Sequence, residues 1–146
     1  MRRLALSLVA ILCLALTVAA CGSATNDYRG KVAGVQKKYE TQLTDLTTKV
    51  TTEMSTNPAA ASASLSELAT VVSQFAEDIA DVKPPADKQP LADQLVGAYR
   101  TLAQASLDLK AALDTKDTDK LNKALEEFNK ATADESAAID AFNAAD

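Results

Sequence analysis

Between Leu65 and Val82 the residues Leu65, Leu68, Val72, Phe75, Ile79 and Val82 recur at spacings of 3, 4, 3, 4 and 3. An α-helix keeps residues so spaced on one face, whereas a strand needs a period of 2. The alternation of 3 and 4 also predicts left-handed packing against neighbouring helices. Such a stripe leaves water only by meeting another apolar face, so the rest of the chain must supply partners.

Three further segments carry a helical period. Tyr28, Val32, Val35, Tyr39, Leu43, Leu46, Val50 and Met54 form the first stripe. Leu91, Leu95, Ala98, Leu102, Ala105, Leu109 and Ala112 form the third, widened by Tyr99, Leu107 and Leu113. Leu121, Leu125, Phe128, Ala131, Glu135, Ile139 and Phe142 form the fourth, widened by Ala124 and Ala138. Glu135 interrupts that last stripe and is placed at its rim, where a carboxylate reaches water.

Breakers set the boundaries. Ser55-Thr56-Asn57-Pro58 ends the first helix, whose Thr-rich last turns favour fraying after Lys49. The second starts at Pro58 or, if Ser64 and Glu67 form a capping box, near Ser62. Pro84 stops it, and Pro90 fits the first turn of the third. Asp117 or Thr118 caps the fourth, and Asn26 or Asp27 the first. The expected helices are therefore about 26–54, 62–82, 90–113 and 118–144. Short links make successive helices antiparallel, and an all-α, up-down-up-down four-helix bundle is the natural solution. A three-helix core with a looser extra helix is the alternative. Gly30, Gly34 and Gly97 fall inside helices and are expected at close helix–helix contacts. Tyr28, Tyr39 and Tyr99 are expected at the edge of the core.

Residues 1–20 read as a targeting segment rather than as part of the bundle. Arg2 and Arg3 precede an apolar run from Leu4 to Val18, and small residues lead to Cys21. The stretch Val18-Ala19-Ala20-Cys21, followed by Gly22, resembles the lipobox of bacterial lipoproteins. That resemblance implies a diacylglycerol on the Cys21 thiol and cleavage between Ala20 and Cys21. It makes the lipid bilayer a partner through acylated Cys21 and places the protein on the extracytoplasmic face of the cell membrane. Residues 21–25 are then the lipidated cysteine and a short tether, and 26–146 the bundle. Two or more acyl chains anchor stably, so the bundle needs no membrane-inserting surface of its own.

The second half also resembles small helical lipoproteins of high-GC Gram-positive bacteria. The likeness rests on Ile79 to Val82, Pro84-Pro85-Ala86, Leu91 to Leu113, the acidic turn Asp114 to Asp119, and Ala124 to Phe142. It departs from them in lacking a histidine after the proline turn, and it implies a fold without implying a chemistry.

Without the first 20 residues, 13 basic residues face 20 acidic ones, a net charge of −7. That balance argues against nucleic acid, which needs basic clusters. Histidine is absent, and Cys21 is the single cysteine after the leader. Histidine-based triads and His/Cys zinc sites are thereby excluded. No cofactor or metal is expected. Three carboxylate groupings remain: Glu126 with Glu127, Asp134 with Glu135, and Asp114 with Asp117 and Asp119. Neighbours on a helix do not share a face, and the third grouping lacks the Gly and Glu of a calcium loop. The expectation is a non-enzymatic interaction or structural module with an envelope protein as partner. The alternative is binding or sensing of a small apolar ligand within the bundle.

Overall fold

The computed structural model describes residues 23–144 as four helices: α1 (Ser23–Thr56), α2 (Pro58–Ala80), α3 (Gln89–Thr115) and α4 (Thr118–Ala144). A 3-10 turn, Ala86–Lys88, lies between α2 and α3. Residues 1–22 lie outside the described part, and with them the leader, the Ala20–Cys21 bond and Cys21.

α1 is helical from Ser23, so Ser23 to Thr25 extend the helix where a tether was expected. Neither Asn26 nor Asp27 is a cap. No Gly or Pro separates Ser23 from Asp27, and adding residues to an existing helix is far easier than nucleating one. The Thr-rich end stays helical to Thr56. Thr51 Oγ1 donates to the Thr47 carbonyl at 2.8 Å, and Thr52 and Thr56 do the same one turn back. These bonds settle hydroxyls within the helix itself.

α2 begins earlier than the capping-box reading places it. Asn57 is the N-cap, its side chain accepting from the Ala60 amide at 3.3 Å, with Pro58 in the first turn. Ser64 is instead a buried mid-helix residue whose hydroxyl donates to Glu53 Oε2 of α1 at 2.6 Å. α3 carries Pro90 in its first turn as expected, and ends with Lys116 in the left-handed conformation at φ 55°. Asp117 Oδ1 accepts from the Asp119 and Lys120 amides at 3.0 and 3.1 Å and caps α4.

Side-chain registers show the topology. Tyr39 meets Phe75, Glu53 meets Ser64, Phe75 meets Tyr99, and Ser62 meets Asp114. α1 with α2, and α2 with α3, are thus antiparallel. α3 packs along α4, while α4 meets α1 chiefly at one end. There the Tyr28 and Phe142 rings lie 5.7 Å apart edge to face, and Arg29 Nη2 donates to the Phe142 and Asn143 carbonyls at 3.1 and 3.3 Å. Those last-turn carbonyls have no partner within the helix, and the guanidinium also suits the negative end of the helix dipole.

The expected stripes form the core, with three corrections. Tyr28, Tyr39 and Tyr99 are buried members of the core rather than edge residues, and Tyr99 is fully enclosed. Leu107 does not widen the α3 face; it is the exposed large apolar residue among those described, at 40%. Gly30, Gly34 and Gly97 are exposed, and a Cβ at any of them would meet open space. They mark solvent-facing positions rather than close helix contacts.

Candidate functional site

One layer of the bundle gathers polar and aromatic side chains from all four helices. At its α1–α2 edge, Asp78 Oδ2 accepts from Lys38 Nζ at 2.7 Å and from Tyr39 Oη at 2.9 Å. The Lys38 ammonium also sits 4.9 Å above the centre of the Tyr39 ring. The Lys38 bond, then the Tyr39 bond, hold the Asp78 carboxyl below its ordinary range. Inward, the tilted Tyr39 and Phe75 rings lie 5.5 Å apart, and Phe75 meets Tyr99 edge to face at 4.7 Å. Tyr99 in turn faces Glu135 of α4.

Glu135 is 2% exposed, which overturns the expectation of a rim position. The true inward stripe of α4 is Ala124, Phe128, Ala131, Glu135, Ala138 and Phe142. Leu121 and Leu125 lie to one side, partly buried. α4 is rotated so that Phe128 and Phe142 both point inward, and Glu135 falls on the line between them. The spacing of that stripe is a regular 4, 3, 4, 3, 4 and was present in the sequence. Weighting Leu121 and Leu125 over alanines hid it.

Glu135 is shut off from the surface. Glu135 Oε1 and Tyr99 Oη are both buried without a hydrogen-bond partner; the two groups face each other, but short of bonding geometry. None of the described salt bridges includes Glu135. Burial pushes its carboxyl up to about 7, opposed in part by Tyr99. Burial, and then the Glu135 charge, push the Tyr99 hydroxyl well above its usual range. A lone carboxyl with a depressed tendency to ionise can hold and release a proton near neutrality. It has no neighbouring nucleophile or second carboxylate with which to do acid–base catalysis.

The other expected carboxylates do not converge. Asp134 is exposed and paired with Lys130 at 2.7 Å, roughly 100° around the helix from the buried Glu135. Glu126 and Glu127 are exposed. Asp114 bonds Lys110 and Ser62, and Asp117 caps α4. No group of three metal-ligating side chains forms among the described residues.

Two clefts open at the surface. One, of about 460 Å³, lies between α3 and α4 over Ala105 and Ala131, rimmed by Arg100, Asp108, Glu127 and Lys130. The other, of about 270 Å³, lies where α2 runs into the proline link, over Ile79, Val82, Pro84 and Val96. The second reaches the buried residues Ile79, Ala92 and Val96 of α2 and α3. No protein-family profile, curated protein or solved structure matches the chain.

Proposed function

We propose that the chain is a membrane-anchored extracytoplasmic lipoprotein whose bundle is a non-enzymatic interaction or structural module. The lipobox ending at Cys21, two residues before a continuous 34-residue helix, carries this reading. Acyl chains on Cys21 would hold the start of α1 at the bilayer, together with the α2–α3 link and the end of α4. A helix of that length spans about 50 Å, so the Asn57 and Asp114–Thr118 turns would project that far outward. No described helix is long and apolar enough to cross a membrane. The outer helix faces, largely charged and polar, are then the surface that a partner in the envelope reads.

Binding of a small apolar molecule inside the bundle has less support, since the two clefts open at its surface. Cell fractionation of Cys21→Ala tests the anchor: the variant is expected to leave the membrane fraction while keeping its helical circular dichroism. A variant that stays with the membrane as firmly as the parent overturns the anchor. Photo-crosslinkers at exposed positions such as Thr115 are expected to capture an envelope protein in intact cells. Capture at none of the exposed faces overturns the interaction role.

A further inference from the structure

We propose that α4 is a proton-controlled latch: loss of the Glu135 proton to water releases α4 from α3 and exposes the inner apolar face of the other helices. The inference rests on the buried layer alone and stands whether or not Cys21 is lipidated.

Three observations carry it. Glu135 lies at the middle of the inward stripe of α4, and its Oε1 has no partner. An ionised carboxylate there is cut off from solvent and is in none of the described ion pairs, so the charged form favours any state that hydrates it. The second observation is how weakly α4 is held. Of its seven buried residues three are alanines and one is Glu135. Phe128, Ile139 and Phe142 supply most of its apolar anchorage, whereas α2 buries Leu65, Leu68, Val71, Val72, Phe75 and Ile79. The third is connectivity. α4 is the last of the described helices, packs along α3 and touches α1 through Tyr28 and Arg29 near its own end. Its release therefore breaks one long interface and one end contact and leaves the α1–α2 and α2–α3 packing in place.

The charged and titratable neighbours do not offset the change. Tyr99 of α3 faces Glu135 and is itself held neutral. Further along the layer, Tyr39 of α1 and Asp78 of α2 are bound to each other and to Lys38 at the surface. On α4 itself, Lys130 pairs outward with Asp134. The direction in which burial shifts Glu135 places the transition close to neutral pH.

Hydrogen exchange on the full chain at pH 5 and pH 8, corrected for intrinsic rates, tests the latch. A released helix of this length frays in water, so release reads out as exchange. The opening constant of amides in residues 124–142 is expected to rise on the order of 10- to 100-fold between the two pH values. Amides of α2 in residues 65–79 are expected to stay better protected than those of α4 at both pH values, because they open only when the whole bundle unfolds. Glu135→Gln should hold α4 at one opening constant at both pH values, and Glu135→Met should do the same if the amide variant folds poorly. Equal opening of wild-type α4 at pH 5 and pH 8, or an α4 that opens no more readily than α2 at pH 8, overturns the proposal.

Discussion

Replacing Glu135 with Gln should make the protein more stable in alkali and leave it little changed in acid. The carboxyl titrates at 4.5 when exposed and at about 7 in the folded core. Between those values the folded state holds a proton that the unfolded state has lost, so stability falls as pH rises. A shift of that size corresponds to roughly 3 kcal/mol. A small part of the penalty is already present at pH 5 and nearly all of it by pH 8, leaving about 2 to 3 kcal/mol to be lost across that interval. Asp78, Asp114 and Asp117 are shifted the other way, below 3.8, so their contributions are lost in more acid solution. Tyr28 and Tyr39 are raised above 10 and titrate in more alkaline solution. The window from pH 5 to pH 8 therefore isolates Glu135. Urea unfolding of both proteins at the two pH values measures it. Wild type should lose about 2 to 3 kcal/mol more than Glu135→Gln on going from pH 5 to pH 8. Identical pH dependence in the two proteins would refute the burial of Glu135 in the core.

Gly30→Ala and Gly34→Ala should each add up to about 1 kcal/mol of stability, because the new methyl meets open space within a helix. Thermal melts of the single and double variants check this, and a loss of stability would mean that these positions are packed. Phe75→Ala, which removes the ring between Tyr39 and Tyr99, should cost about 3–5 kcal/mol in urea unfolding. Asn57→Ala should cost about 1 kcal/mol by removing the α2 cap; an unchanged melt would show that Pro58 alone sets the start of that helix.

Much of the bundle was legible in the sequence because its signals are redundant. Each stripe repeats over five or more turns, and Pro58, Pro84 and Pro90 punctuate the chain where helices must stop or start. Asp117 followed by exposed amides was readable as a cap for the same reason. What failed depended on a single ambiguous residue. Ser64 and Glu67 match a capping box in composition, yet Asn57-Pro58 nucleates α2 earlier and Ser64 then bonds Glu53 across the helix pair. Leu107 widens a stripe on paper but lies beyond the angle that α2 and α4 cover. The glycines were taken as contact residues because a glycine in a helix asks for a reason, and the packing gives none. Glu135 shows the deepest limit. Its phase depended on whether α4 turns on leucines or on Ala and Phe, and the shape of the space left by Tyr99 and Phe75 decides that.

Among possible measurements, the intact mass of the protein extracted from cell membranes tests the functional account most directly. The account predicts a chain beginning at Cys21 and carrying a thioether-linked diacylglycerol. A chain that retains Met1, or one that begins at Cys21 with a free thiol, would contradict it.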